Sequence, residues 1–329
     1  MTKQSPWRWL LALMLLIITL LMSIRLGSAA ISYGQLWQLL SGTAADPTFD
    51  AIVWQIRLPR IAMAFFAGAG LAICGALLQN MSRNPLADPY LFGLTAGAGL
   101  GASLAMIVFP EQQLPLALSA FAGASLAVFL VVLVCIRHGW QQLQVMLLAG
   151  VAVSFMLSAI SSFILYFAEP FAANRVIFWL MGSLSRSDWQ GVAIVAPAVL
   201  ALLLLALAFR RQLDAMLLHD ESARTLGVSV DRIRLLFLLC TSAVTAFIVA
   251  QCGGIAFVGL MIPHLVRQWF GVTMLPLLLG SALVGGIFLI WVDNFARSLL
   301  MQQEIPLGVI TSMLGSVFFL LLLRRQQPG

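Results

Sequence analysis

The sequence predicts an all-α polytopic membrane protein with about ten transmembrane helices, and three observations carry the prediction. The 329 residues are 61% hydrophobic and only 9% charged, with a mean hydropathy of +1.01. Soluble domains hold roughly 45–50% apolar and about 25% charged residues, so a soluble core of this length lacks the polar surface it needs. The apolar residues fall into runs close to the roughly 20 residues that a helix needs to cross a bilayer. Finally, the basic residues between those runs collect on one side.

Ten runs, bounded by charges and turn residues, mark the spans: 9–27, 61–80, 91–109, 115–136, 143–168, 191–209, 233–250, 255–267, 275–296 and 307–323. The first follows Lys3 and Arg8 and precedes Ser28-Ala29-Ala30, a pattern that a cleaved leader shares. Its length makes it an uncleaved first helix. The second carries Gly68, Gly70 and Gly75, and the third carries Gly93, Gly97, Gly99 and Gly101. Small residues at this spacing let helix backbones approach closely. A dinucleotide-binding loop would need a strand–turn–helix around it, which is absent. The eighth run is short for a span and follows Gln251-Cys252-Gly253-Gly254, so a broken or re-entrant geometry is expected there.

Ten spans put both termini on one side. With the N-terminus inside, inner segments hold twelve of the eighteen basic and five of the twelve acidic residues, a net +7 against −1 outside. The excess of arginine and lysine on the cytoplasmic side then makes both termini cytoplasmic. The whole chain, 1–329, reads as one transmembrane domain whose largest inner excursion is 210–232.

Several function classes drop out. The charge of +6 is scattered, without the basic runs that bind nucleic acid. Cys74, Cys135, Cys240 and Cys252 lie far apart and read as small hydrophobes, neither a disulfide framework nor a metal site. The only lysine is Lys3, so no phosphate-binding G-x-x-x-x-G-K-[ST] loop exists in the chain. If ATP drives this protein, a partner hydrolyses it. No carboxylate sits in the middle of a span, Asp293 lying near the outer end of the ninth; an ion-coupled carrier usually places one there. No H-E-x-x-H pair or carboxylate pair lies in a span to make a membrane-embedded enzyme. What remains suits a path for a large solute lined by Thr95, Ser103, Ser154, Ser158, Ser161 and Ser162.

Two loops stand out. Within 210–232, Asp220 reads as an N-cap, Glu221 as a first-turn acid and Gly227 as a helix terminator. This predicts a short exposed inner helix able to dock into a partner. Outside, Arg57 and Arg60 flank Leu58-Pro59 where the second span begins, and Arg297 ends the ninth. Three exposed arginines on a near-neutral face can receive acidic groups of a docking protein. His264, beside Pro263, reads as a packed, hydrogen-bonded histidine, and His138 and His219 as solvated loop residues.

Taken in order, Arg57-Leu-Pro-Arg60, Gln79, Asn84-Pro85-Leu-Ala-Asp-Pro89, Leu148-Ala-Gly150, Trp179-Leu-Met-Gly-Ser183, Ala223-Arg-Thr-Leu-Gly-Val228, Gly259-Leu-Met-Ile-Pro263-His264-Leu-Val-Arg267, Asp293-x-x-x-Arg297 and Glu304-Ile-Pro-Leu-Gly308 resemble the FecCD permeases. These are the membrane subunits of type II ABC importers for iron chelates, haem and cobalamin, and the likeness covers residues 50–325. It implies a non-enzymatic permease in a bacterial inner membrane, working as a homodimer or related heterodimer. Two cytoplasmic ATPase subunits, which hold ATP and Mg, and a periplasmic substrate-binding protein complete the assembly; this chain needs no cofactor. The resemblance makes the segment Asp220, Glu221, Ser222, Ala223, Arg224, Thr225, Leu226, Gly227 the coupling helix to the ATPase, and Arg57, Arg60 and Arg297 the contacts for glutamates of the binding protein. It places the solute path between the fifth helices of two subunits, with Leu143, Gln144, Ser154 and Ser158 along it. The cobalamin importer has short hydroxyl residues at the inner gate, whereas Trp140-Gln-Gln-Leu143-Gln144-Val stands here, which favours a ferric siderophore or haem as cargo over cobalamin.

Overall fold

A computed structural model describes residues 6–26, 34, 47–109, 116–138, 143–300 and 303–325, and the regular structure among them is helical. The first span is α1 (Pro6–Arg25). A short α2 (Pro47–Ala51) continues through a π-helical turn (Ile52–Arg57) into α3 (Leu58–Ser82). A 3-10 turn (Pro89–Phe92) leads into α4 (Leu94–Ser103), which widens into a π turn over Leu104–Val108. Then follow α5 (Leu116–His138), α6 (Leu143–Tyr166), α7 (Pro170–Leu180) and α8 (Trp189–Ala208). The inner excursion holds α9 (Arg210–Ala215) and α10 (Asp220–Thr225). Last come α11 (Val230–Cys252), α12 (Val258–Phe270), α13 (Met274–Ser298) and α14 (Leu307–Arg325).

Each of the ten predicted spans coincides with a helix, and among the described residues seven helical stretches are long and apolar enough to cross a membrane by themselves. The remaining three are the stretches Leu94–Val108 and Leu307–Leu322 and the 13-residue α12. Two short helices, α2 and α7, lie in stretches whose polarity reads as connections between spans.

At the centre stands α3, packed on α13, α12, α11 and α8. Twenty of its 25 residues are buried. Its small residues explain how one helix takes four neighbours: a Cβ on Gly68 would sit 2.2 Å from the Gly285 carbonyl oxygen, and one on Gly75 only 1.8 Å from that of Gly259. Backbones in lipid gain van der Waals contact by such approaches, since apolar burial alone offers no preference for protein over lipid tails. A second seam joins α4 to α5, where Gly97 and Gly123 oppose one another. The glycine stretches therefore serve packing, as expected.

The break predicted near residue 252 is present. Helix α11 stops at Cys252, Gly253 turns to φ +70, and Phe257 adopts φ +69 before α12 begins. The peptide groups left without helical partners are satisfied by neighbours: Gly254 N–H donates to Leu180 O at 3.2 Å, Ser183 N–H to Cys252 O at 2.9 Å, and Ile255 N–H to the Tyr90 hydroxyl at 3.0 Å. Buried backbone at membrane depth is tolerated only under such conditions. A Cβ on Gly253 would lie 2.1 Å from Trp179 O, so both its angle and its crowding call for glycine.

The two groups of segments that the charge pattern separates also lie at different ends of the bundle. Arg8 donates to Trp269 O, and Met274 N–H to Asp214 Oδ1 at 2.7 Å, at one end of the bundle. Arg57, Arg60, Asp293, Arg297 and Glu304 meet at the other.

Candidate functional site

At the inner end, α10 is a one-and-a-half-turn surface helix tied to the bundle by its first residue. Asp220 does not act as the N-cap; that position falls to His219, in extended conformation. The Asp220 carboxylate instead receives two guanidinium groups, Arg83 through Oδ1 and Arg234 at 3.2 Å through Oδ2. Arg83 ends α3 in the left-handed conformation at φ 49 and also donates to Met216 O at 3.2 Å. Arg234 lies in the second turn of α11 and reaches Met81 O at 3.3 Å. One carboxylate thus joins α10 to both α3 and α11.

The far end of α10 closes as the sequence predicts. Gly227 takes φ +80, Val228 N–H donates to Ala223 O at 3.1 Å and Gly227 N–H to Arg224 O at 2.9 Å, the paired bonds of a Schellman terminus. Ala223 is fully buried under the helix. Glu221, Ser222, Arg224, Thr225 and Leu226 face outward, and Leu217, Leu218 and Leu226 add apolar surface beside them. Arg224 is steadied by Asp231 at 3.2 Å. The helix is thus held at its base and presents a mixed apolar and charged face.

At the outer end the three arginines converge, but they are not exposed. Arg57 and Arg60 keep only 4% and 8% of their surface, and the Arg297 side chain 7%. Arg57 donates to the carbonyls of Ile24 and Arg25 at the end of α1. Arg297 reaches Ser23 O at 2.8 Å, Ser23 Oγ at 3.0 Å and Asn294 Oδ1, and stands 3.7 Å from Asp293. The expectation of three exposed arginines is corrected on this point: the span that begins at Leu58 is covered by α1 and α13, which bury the guanidinium groups and supply the partners they then require.

Arg60 is the hub of this cluster. Its Nε and Nη2 edge binds Asp293 at 2.8–3.0 Å. Its Nη1 and Nη2 edge binds Glu304 at 2.8 and 2.9 Å. Neither acid stands out as a site residue in the sequence, although the i, i+4 spacing of Asp293 and Arg297 is visible there.

Of the residues placed along a solute path, Ser158 lies on the open face of α6 beside Phe155 and Ser162. Ser154 is half-buried beside Gly93, and its Oγ donates back to Gly150 O at 2.7 Å. Ser103 and Ser161 share a hydrogen bond at 2.9 Å within the bundle. Leu143 and Gln144 open α6, but their side chains, like Trp140 and its following glutamines, lie outside the described residues. Thr95 lines a cavity of about 430 Å³ together with Tyr90, Leu180, Met181, Gly254, Gly308 and Ser312. His264 contacts Gln268 at 3.0 Å and packs its ring on Phe318, as a packed histidine does.

One carboxylate was not legible as special. Asp88, on the inner loop before the 3-10 turn, caps that turn by accepting Tyr90 N–H at 2.8 Å. Its other oxygen is buried without a partner. Burial pushes the acid up to about 6.

Comparison with known proteins places the chain in a family of permeases. The model of the FecCD transport family matches residues 15–325. The cobalamin import system permease protein of Halobacterium salinarum is 40% identical over 304 residues, 90% of this chain and 82% of that protein. The hemin transport system permease protein of Yersinia pestis is 36% identical over 321 residues, covering 96% and 94%. A solved structure of a metal-chelate type ABC transporter, in an inward-facing conformation, superposes with a TM-score of 0.86 at 31% identity, over 98% of this chain and all of that one.

Proposed function

We infer that this chain, which belongs to the FecCD transport family, is the permease subunit of a binding-protein-dependent ABC importer that carries a ferric siderophore or haem across a bacterial inner membrane. The observation that supports it best is the placement of two interaction sites at opposite ends of one buried helix. Arg60 in the first turn of α3 belongs to the outer arginine cluster, and Arg83, the residue that caps its other end, holds the exposed α10 through Asp220.

In this reading the permease contributes a path and a switch. Two copies associate, both termini face the cytoplasm, and two ATPase subunits grip the two α10 helices. ATP binding and hydrolysis on those subunits move α10, and the Asp220 ion pairs pass the movement to α3 and α11. A periplasmic binding protein delivers the chelate at the opposite end, its glutamates engaging the cluster of Arg57, Arg60 and Arg297. Ser158 on the open face of α6 lies along the path, which runs between the α6 helices of the two copies. The central cavity then opens alternately to either side.

Cobalamin is the second reading for the cargo, favoured by the 40% identity to a cobalamin permease. Iron chelate and haem are favoured by the hemin permease and the metal-chelate transporter structure. Vesicle uptake of haem, a ferric siderophore and cobalamin by the reconstituted complex separates them.

The assembly is tested by native mass spectrometry of the gently solubilised complex, purified through a tag on this chain. Two permease copies with two ATPase copies are expected. A bare monomer or dimer that still transports when reconstituted alone overturns the importer reading in favour of an ion-coupled carrier.

A further inference from the structure

Arg60 holds two carboxylates of very different accessibility. The Asp293 side chain is 2% exposed and belongs to the interior of α13, whereas that of Glu304 is 41% exposed and lies on the segment between α13 and α14. Of the two acids that Arg60 holds, Glu304 is the one whose side chain reaches the surface.

We propose that Glu304 is an internal stand-in for a carboxylate of the docking partner, exchanged for an incoming aspartate or glutamate on the outer edge of Arg60 when the partner lands. The proposal rests on the docking reading of the arginines given above and adds to it a mechanism by which docking is felt inside the permease. Like-for-like exchange keeps both edges of Arg60 paired, so that its Nη1 and Nη2 edge is not left without an acceptor while Asp293 holds the other. The displaced acid is also wired to the cavity. Ile305 N–H donates to Ala296 O at 3.0 Å, and two and three residues further on, Leu307 and Gly308 donate to Gly182 O and Met181 O, both at 2.9 Å. Met181 and Gly308 are walls of the 430 Å³ cavity. The ion pair therefore clamps the start of α14 against the residues that close the C-terminal end of α7, and its exchange releases the clamp beside the cavity.

The test is hydrogen–deuterium exchange of the complete importer in lipid nanodiscs, read at the amides of Ile305, Leu307 and Gly308. Replacing Glu304→Gln, or Glu304→Ala as a second variant on this exposed side chain, is expected to speed exchange there by roughly fivefold, the opening of one charge-assisted tie. Adding the importer's purified substrate-binding protein to the wild type is expected to produce the same acceleration, and little more in either variant. Wild-type exchange rates in both variants overturn the clamp. So does a binding protein that docks on the wild type while leaving these amides unchanged. A binding protein that does not dock on the wild type at all overturns the docking reading itself, a result distinct from the other two.

Discussion

Arg60 and Asp293 meet through three hydrogen bonds of 2.8–3.0 Å, although 233 positions separate them in sequence. The pair fixes the outer ends of α3 and α13 relative to each other, and both partners are buried. Breaking it from one side leaves Arg60 with Glu304 alone or Asp293 with Arg297 at 3.7 Å, and so costs a part of the about 3–5 kcal/mol of a buried pair broken from one side. Asp293→Ala and Arg60→Ala should each lower the thermal midpoint of the detergent-solubilised permease sharply. A combined Arg60→Met, Asp293→Leu variant should recover much of the loss, and a double variant no more stable than the singles would refute the pairing argument.

The close contact between α3 and α12 makes a second prediction. A methyl group at Gly75 would overlap the Gly259 carbonyl, so Gly75→Ala must push the helices apart. Overpacking of this kind costs about 1–3 kcal/mol or more. Gly99→Ala meets only the flexible end of Leu180 at 3.2 Å and should be nearly neutral. Thermal unfolding of the two variants side by side checks the contrast.

Asp220 should matter for coupling more than for stability. Its carboxylate is partly exposed, so Asp220→Asn should cost under about 1 kcal/mol in folding. Loss of the ties to Arg83 and Arg234 should nevertheless separate ATP hydrolysis from transport. In reconstituted vesicles the variant is expected to hydrolyse ATP while uptake falls at least severalfold. Unimpaired uptake would show α10 to be a mere connector.

Asp88 gives a pH prediction. Its acid is raised from 3.8 to about 6 by burial, so the folded chain holds this proton more tightly than the unfolded one. By linkage, stability is then greatest below about pH 4 as far as this group is concerned, and declines as pH rises to about 6, where the folded-state acid ionises. Asp88→Asn retains an oxygen to cap Tyr90 N–H and removes the buried charge. It should stabilise the protein by about 1–3 kcal/mol at pH 7.5 and hardly at all at pH 4, as measured by melting temperature across that range.

The helices were legible because hydropathy and length decide spans almost alone, and the Gly253–Gly254 break was legible because glycines interrupt an apolar run. Helix α7 was not, because a short helix with Arg175 and Asn174 on its surface looks like a polar loop. Charge patterning said on which side Arg57, Arg60 and Arg297 lie but not at what depth, since burial depends on α1 and α13 covering them. Asp220 has the residue type and position of a cap. Its real partners, Arg83 and Arg234, are remote in sequence, and no local rule points to them. Ser154 and Ser158 sit one turn apart on α6, yet only Ser154 lies against Gly93, a neighbour distant in the chain, and is half-buried where Ser158 is exposed.

Helix α3 runs 25 residues from Leu58 to Ser82 without a break, about 37 Å at 1.5 Å per residue, with an ion-paired arginine at each extremity. A rod of this kind has no joint at which the two faces of the protein can be decoupled. Chimaeras that exchange only the inner loops, or only the outer ones, between relatives would therefore join ends evolved against different shafts. Functional transplantation of either face should require carrying α3 with it.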